Sequence, residues 1–156
     1  MKNCSHDSSC IERMENGPTK LIEMLELNIL INGILVGIIL CTQFVSYPLF
    51  KSIKATEFHQ YHSTYTRYIA PVVGPLMVLE LIIVGLLTLD EPTNPLILAS
   101  LFLLIMVWLS TFLIQVPLHN KLAKGYQVKW IHKLIYSNWI RSIAWTIKLI
   151  IAAILI

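Results

Sequence analysis

Polar side chains recur at regular intervals in an otherwise apolar segment, STFLIQVPLHNKL. Thr111, Gln115 and His119 are four residues apart in turn, which places all three on one face of a helix. Pro117 has no backbone N–H, so it leaves the carbonyl of Leu113 without its helical partner and adds an acceptor near this face. The face is either the wall of a site or a hydrogen-bonded seam between helices.

Histidines are concentrated near the same end of this segment. His59 and His62 lie at the start of the second predicted helix, His119 ends the third, and His132 begins the fourth. Neutral imidazoles are the commonest transition-metal ligands, and an H-x-x-H pair can supply two of them from one helix. The pattern predicts a metal site formed by His59, His62 and His119. The alternative is that each histidine is solvated or hydrogen-bonded at a membrane interface.

Three charged residues, Glu80, Arg141 and Lys148, lie deep within apolar segments. A charge that faces hydrocarbon costs at least ~2.5 kcal/mol, so these residues must neutralise one another or face water. We predict that Glu80 is the counter-ion of Arg141, of Lys148 or of both, and that Glu80, Arg141 and Gln115 have catalytic roles. The alternatives are a purely structural ion pair and, for Lys148, a side chain that extends to the outer surface.

The composition requires a membrane to surround these residues. Of the 156 residues, 56% are hydrophobic and only 13% are charged, whereas a soluble domain has about 25% charged residues. We predict an all-α fold, a polytopic integral membrane four-helix bundle, with a polar, flexible tail at residues 1–20 and a single four-span transmembrane domain at 21–156. The four apolar segments, at about 27–47, 68–89, 95–118 and 134–156, each approach the ~20 residues that cross a bilayer.

Basic residues are divided unevenly between the two ends of this bundle. Segments 48–67 and 119–133 carry seven lysines and arginines, whereas the N-terminal segment and the loop 90–95 carry three. The positive-inside rule then predicts N-out/C-out topology, with the two linkers in the cytoplasm. Aromatic residues at helical spacing beside charges predict that these linkers are amphipathic helices at the headgroup level. Topology accounts for the net charge of +3, so no nucleic-acid partner is expected.

Every apolar segment carries polar side chains on one face, for example Asn28 and Asn32 in the first and Asn138 in the fourth. Such faces turn inward, where hydrogen bonds between helices contribute about 0.6 kcal/mol each. The chain has no glycine-rich phosphate loop, no G-x-S-x-G, no H-E-x-x-H and no C-x-x-C. Soluble nucleotide chemistry is therefore not expected, and any substrate should be small, lipophilic or delivered from the membrane.

Three segments together resemble a known protein family: HSTYTRYIAPVVGPLMVLEL, STFLIQVPLHNKL and NWIRSIAWTIK. The family is an uncharacterised one of four-helix bacterial membrane proteins, in the anthrone-oxygenase-like group, and the resemblance covers all but the first helix and the tail. It implies a four-helix membrane bundle, and the group's fungal members are linked to the oxygenation of polycyclic anthrones. The positions that match the family pattern are His62, Arg67, Glu80, Gln115, His119, Asn138, Trp139 and Arg141. We expect substrate contacts from His62, Arg67, Asn138, Trp139 and Trp108.

These observations favour two classes of function. The first is an oxidoreductase or oxygenase-like enzyme of the bacterial inner (cytoplasmic) membrane, which acts on a lipophilic small molecule at a polar and histidine-containing site inside the bundle. The second is a non-enzymatic membrane module, such as an accessory subunit, an assembly factor or a small carrier, whose polar stripes are helix-packing contacts. The cofactor is not identified, and a transition metal, a haem or a quinone each fits the first class. The expected partners are the lipid bilayer, a lipophilic small molecule and further copies of the chain in a homo-oligomer.

Overall fold

A computed structural model describes residues 8–156 of the chain, with side chains described from residue 19 onward. Four helices in this part are long and apolar enough to cross a membrane, which confirms the predicted four-span helical fold. These are α1 (Thr19–Ser52), α2 (Ala55–Asp90), α3 (Pro95–Leu122) and α4 (Val128–Leu155). The helix that contains α1 begins further upstream, at Ser8, within the segment predicted to be a polar tail. Residues 1–7 of that segment lie outside the described residues.

The helices are longer than the spans predicted from hydropathy. Helix α2 begins at Ala55 rather than near residue 68, and its 36 residues reach about 54 Å at ~1.5 Å per residue. This exceeds the ~30 Å thickness of the bilayer's hydrocarbon core. Hydropathy detects only the apolar part of such a helix, whereas the backbone hydrogen bonds continue through its polar turns.

Residues with special backbone properties form two of the three short connections between the helices. The side-chain oxygen of Asn94 accepts a hydrogen bond from the backbone N–H of Leu96 at 3.0 Å, and Pro95 is the first residue of α3. Both features are typical of a helix N-terminus. Between α3 and α4, Gly125 has a φ of 148°, which residues with a side chain rarely adopt. These short loops make successive helices antiparallel neighbours.

Helices α1 and α3 are each interrupted by one π-helical turn, at Thr42–Ser46 and at Thr111–Gln115. In both cases a threonine begins the turn and a proline, Pro48 or Pro117, stands six residues later. A proline inside a helix removes one backbone hydrogen bond and crowds the preceding turn, and the wider π turn leaves room for its ring. The two turns also direct polar residues inward, since Thr42, Gln43 and Gln115 are all buried.

The four helices pack as a ring in chain order, and α4 closes onto α1. Apolar side chains form two buried clusters at different levels of the ring. One surrounds Leu35 and Trp145, and the other surrounds Phe58 and Leu122. Large apolar side chains also cover the outside of the helices, where they are in a position to contact lipid. Buried polar side chains occur on all four helices, and those that contact Tyr47 and His119 belong to the site described next.

Candidate functional site

Two imidazoles and a phenol form a continuous hydrogen-bonded chain inside the bundle. Nε2 of His62 on α2 lies 3.0 Å from Nδ1 of His119 on α3, and Nε2 of His119 lies 3.0 Å from the hydroxyl of Tyr47 on α1. His62 and Tyr47 are buried, with 1% and 2% of their surfaces exposed. Three helices therefore meet at His119, which uses both of its ring nitrogens.

Two arrangements of protons satisfy this chain. In the first, Tyr47 donates to Nε2 of His119, and Nδ1 of His119 donates to Nε2 of His62. In the second, His62 donates to His119, His119 donates to Tyr47, and the Tyr47 hydroxyl proton is free to point elsewhere. The two arrangements differ by a shift of protons along the chain. A proton received at Tyr47 can therefore be passed to the imidazoles, which is what a proton relay requires.

Arg141 on α4 adds a positive charge to the end of this chain. Its guanidinium donates to the Tyr47 hydroxyl at 3.4 Å and to the side-chain oxygen of Asn138. Asn138 is held in turn by Gln43, whose amide oxygen accepts from Nδ2 of Asn138 at 2.8 Å. Arg141 is only 7% exposed, and neither salt bridge among the described residues includes it. A buried cation without a carboxylate partner is costly in an apolar environment, so Arg141 is a candidate partner for an anionic ligand.

A cavity of about 440 Å³ lies against the polar chain. Its lining is mainly apolar and aromatic, and it includes the indoles of Trp108 and Trp145. Small-molecule sites typically enclose about 300–1,000 Å³ and combine such a lining with a few convergent polar groups. The polar groups here are Thr42, Tyr47, Tyr65, Thr111, Gln115, His119 and Arg141.

The mouth of the cavity lies between α2 and α3. The exposed residues of its lining are on these two helices: Ala70, Gly74 and Val78 on α2, and Phe112 and Val116 on α3. All five are apolar, and they belong to the outer surface that faces lipid in a membrane. A lipophilic molecule can therefore enter sideways from the bilayer without crossing an aqueous phase.

Two buried polar atoms on residues that line the cavity have no hydrogen-bond partner within the protein. They are the side-chain oxygen of Gln115 and the indole nitrogen of Trp108. The amide nitrogen of Gln115 does have a partner, because it donates to the hydroxyl of Ser137 at 2.9 Å. Buried polar groups are nearly always hydrogen-bonded, so an orphaned acceptor and an orphaned donor beside one cavity indicate a ligand with polar atoms of its own.

Glu80 pairs with Lys148 and not with Arg141. The Lys148 ammonium donates to the Glu80 carboxylate, and the indole N–H of Trp145 donates to the same carboxylate at 3.0 Å. Both charged side chains are fully buried, and neither lines the cavity. This geometry favours the structural interpretation of the pair, with the Trp145 ring standing between the carboxylate and the cavity. Sequence reasoning left open which cation pairs with Glu80, and the structure identifies it.

The predicted histidine site is only partly brought together. His62 and His119 are in contact, but His59 is exposed, and His132 is exposed and stacks against Tyr136. Among the residues that the structure describes, no group of three or more His, Cys, Asp or Glu side chains could hold a metal ion. Moreover, the ring nitrogens of His119 are bonded to His62 and Tyr47. The donor set therefore does not fit a metal or a haem at His59, His62 and His119.

The residues predicted to contact substrate divide into three groups. Trp108 lines the cavity, whereas Asn138 is fully buried behind it and orients Arg141. His62 does not line the cavity and is connected to it only through its hydrogen bond with His119. Arg67 and Trp139 are exposed and away from the cavity lining, and the Trp139 ring packs edge-on against Phe44 at 5.6 Å.

Sequence reasoning missed Tyr47 and Tyr65, although both line the cavity. Tyr65 fitted an interfacial aromatic belt, and Tyr47 stood just before a proline at the end of a span. The signal that could have identified Tyr47 is the repeated Thr-x5-Pro spacing, because it marks the π turns on either side of the site. No family model, curated protein or solved structure matches the chain.

Proposed function

We propose that this protein is a membrane-embedded enzyme of the oxidoreductase or oxygenase-like class, which acts on a lipophilic small molecule held in the cavity. One observation carries the proposal. A cavity that opens sideways between α2 and α3 ends on an unpaired Arg141 and on the Tyr47–His119–His62 chain. An apolar passage for the substrate and an acid–base group at its end are thereby combined in one site.

The lining defines the class of substrate. The apolar walls favour a flat or branched hydrocarbon body, and the unpaired Arg141 favours an oxygen that is anionic or becomes so. The orphaned amide oxygen of Gln115 and indole N–H of Trp108 add one acceptor and one donor. A lipophilic weak acid meets these requirements: a phenol offers a donor to Gln115 and an oxygen to Arg141, and a compound with a CH₂ beside a carbonyl does the same in its enol form. A quinone supplies only acceptor oxygens for Arg141 and Trp108 and has no proton to give up, so it matches the site less well.

The first chemical step is the removal of a proton from this weak acid. Tyr47 and His119 accept the proton, which can pass along the hydrogen bond from His119 to His62. Arg141 stabilises the substrate anion that remains. Dioxygen is the oxidant for the following step, in which R₂CH₂ and O₂ give R₂C=O and H₂O. Tyr47, His119 and Arg141 are the catalytic residues of this proposal, Gln115 binds substrate, and His62 and Asn138 are positioning residues.

The disposition in the membrane is part of the proposal. The excess of lysine and arginine in segments 48–67 and 119–133 supports an N-out/C-out topology in a bacterial inner membrane. The polar first turns of α2 and α4 would then lie at the cytoplasmic headgroups as amphipathic extensions of these helices. The mouth of the cavity opens to the bilayer under either orientation.

The test uses purified protein in phosphatidylcholine nanodiscs and anthrone as the probe, since anthrone has an acidic CH₂ beside a carbonyl. Binding is measured by quenching of tryptophan fluorescence, because Trp108 and Trp145 line the cavity. Turnover is measured by oxygen consumption. We expect the wild type to bind anthrone and consume oxygen, Tyr47→Phe to bind without turnover, and Tyr136→Phe at an exposed position to behave as the wild type. A wild type that neither binds anthrone nor consumes oxygen contradicts the proposal.

A non-enzymatic module is the second candidate, and the Glu80–Lys148 pair favours it. This pair is fully buried, lies outside the lining of the cavity and joins α2 to α4 across the ring. A contact of this kind serves helix packing, whereas Asn28 and Asn32 bond only to each other within α1, at 2.8 Å. Binding of anthrone by the wild type without oxygen consumption, unaffected by Tyr47→Phe, would identify the protein as a carrier or accessory subunit.

A further inference from the structure

A second concave surface lies on the opposite side of α3 from the cavity mouth. This groove, of about 470 Å³, is formed by the second half of α3 and the first turns of α4. One end of its lining is basic and the other is apolar, and it shares no lining residue with the cavity. The residues that line it are Leu113, Ile114, Pro117, Leu118, Lys121, Lys129, Trp130, His132, Lys133, Tyr136 and Ser137.

Three lysines surround one indole ring at the basic end of the groove. The ammonium groups of Lys121, Lys129 and Lys133 lie 4.1, 5.2 and 5.5 Å from the centre of the Trp130 ring. A ring can attract a cation, but three cations around the same ring also repel one another. Neither salt bridge in the described part of the chain includes any of the three. The cluster therefore presents concentrated positive charge without an acidic partner.

The other end of the groove suits a hydrocarbon chain. Leu113 and Tyr136 are 70% and 72% exposed, and Pro117 lies between Leu113 and Lys121 along α3. The lysines stand at the last turn of α3 and the first turns of α4, where the bundle reaches the level of lipid headgroups. Charge and hydrophobicity thus follow the same order along the groove as along a phospholipid.

We infer that this groove binds one anionic phospholipid. The phosphate contacts Lys121, Lys129 and Lys133, and one acyl chain lies along Leu113 and Pro117. Basic pockets between transmembrane helices are suited to anionic headgroups, and each basic side chain near a negatively charged membrane surface adds to the attraction. The inference rests on the groove alone and is independent of the chemistry proposed for the cavity.

The test measures phospholipid that remains bound to the purified protein. Protein is reconstituted in phosphatidylcholine vesicles with or without phosphatidylglycerol, extracted in mild detergent and analysed by native mass spectrometry. The test variant is Lys121→Gln/Lys129→Gln/Lys133→Gln. The matched control is Lys51→Gln/Lys54→Gln/Lys124→Gln, which removes the same charge from the same end of the bundle outside the groove. All six lysines are exposed, so both variants should keep the helical circular dichroism of the wild type.

We expect the wild type and the control to retain phosphatidylglycerol and the test variant to lose it by on the order of tenfold or more. Leu113→Gln should weaken retention as well, because it places a polar group on the apolar wall. An equal loss in both triple variants would overturn the inference in favour of diffuse charge attraction, and retention in the test variant would overturn it directly. Displacement of phosphatidylglycerol by inorganic phosphate, with no effect of Leu113→Gln, would identify a phosphate site instead of a lipid site.

Discussion

Nδ1 of His119 lies 3.0 Å from Nε2 of His62, so the imidazole that lines the cavity is bonded to a second imidazole that does not. The contact joins α3 to α2 behind the site, while Tyr47 of α1 is bonded to the other nitrogen of His119. A lone histidine at this position could accept one additional proton and pass it no further. The paired arrangement lets a proton move from the cavity to His62, whose buried Nδ1 has no partner among the described residues.

Removal of the Tyr47 hydroxyl should break the hydrogen-bonded connection between the substrate and the two histidines, His119 and His62. Tyr47→Phe keeps the ring and its packing against Phe50 but removes the atom that bonds to His119 and Arg141. We expect oxygen consumption with anthrone to fall by about 100-fold or more, as is typical for the loss of a general acid–base group. The free energy of unfolding should change by only about 1 kcal/mol. Loss of turnover in the Tyr136→Phe control would refute the assignment.

Replacement of His62 should impair turnover without impairing binding. His62 does not line the cavity and reaches it only through His119. For His62→Gln we expect a lower kcat for oxygen consumption with little change in KM, because the binding surface is intact. The same substitution at the exposed His132 serves as the control and should alter neither constant. A large rise in KM for His62→Gln would show that this residue contacts substrate after all.

A leucine at position 74 should narrow the mouth of the cavity. Gly74 lies at the rim, and a Cβ built there meets no atom within 4 Å, so a side chain can begin there without displacing the backbone. We expect Gly74→Leu to weaken quenching by anthrone or to slow it markedly. The control is Gly85→Leu on the same helix, where a Cβ also meets nothing within 4 Å and the residue does not line the cavity. Equal binding by both variants would place the mouth elsewhere.

Removal of one partner from the buried ion pair should be more harmful than removal of both. Lys148→Met leaves the Glu80 carboxylate without its cation at a fully buried position, which typically costs about 3–5 kcal/mol. The double variant Glu80→Gln/Lys148→Met should recover much of this loss. Denaturation of the purified protein in mixed micelles measures both effects.

The control for this pair is the exposed bridge between Lys20 and Asp90, whose charged atoms are 3.9 Å apart. Lys20→Met should change the free energy of unfolding by less than about 1 kcal/mol, since exposed ion pairs contribute little. If Lys148→Met were as mild as Lys20→Met, the buried pair would not be important for stability.

Sequence reasoning located the four spans because the hydropathy of a segment is a local property. In a bilayer, an apolar run must pair its own backbone polar groups and therefore forms a helix. This holds for α1–α4 whatever these helices pack against. The predicted ends of the helices were less accurate, because polar turns such as residues 55–67 of α2 continue the helix beyond its apolar part.

The candidate site was predictable only where polarity itself was the signal. Gln115, His119 and Arg141 stood out because polar residues are costly in an apolar segment, and all three line the cavity. The partner of Glu80 depends on how α2 faces α4, and periodicity within one helix does not contain that information. His59 shares a helix with His62 at a spacing of three residues, yet it points outward. Tyr47 was hidden because a tyrosine near the end of a span ordinarily marks an interface.

The two π turns have a consequence for the history of the chain. A π turn holds one residue more than the α-helical turn it replaces, so each has the signature of a single inserted codon. Deleting one residue from Thr42–Ser46 would restore a regular helix and leave the later side chains, Tyr47 among them, facing as they do now, because the wider turn absorbs the extra residue. Only the side chains inside the turn, such as Gln43, would change direction. An alignment of this chain with a straight-helix relative would therefore need a one-residue gap inside the first and third spans, with the sequence on either side of each gap in register.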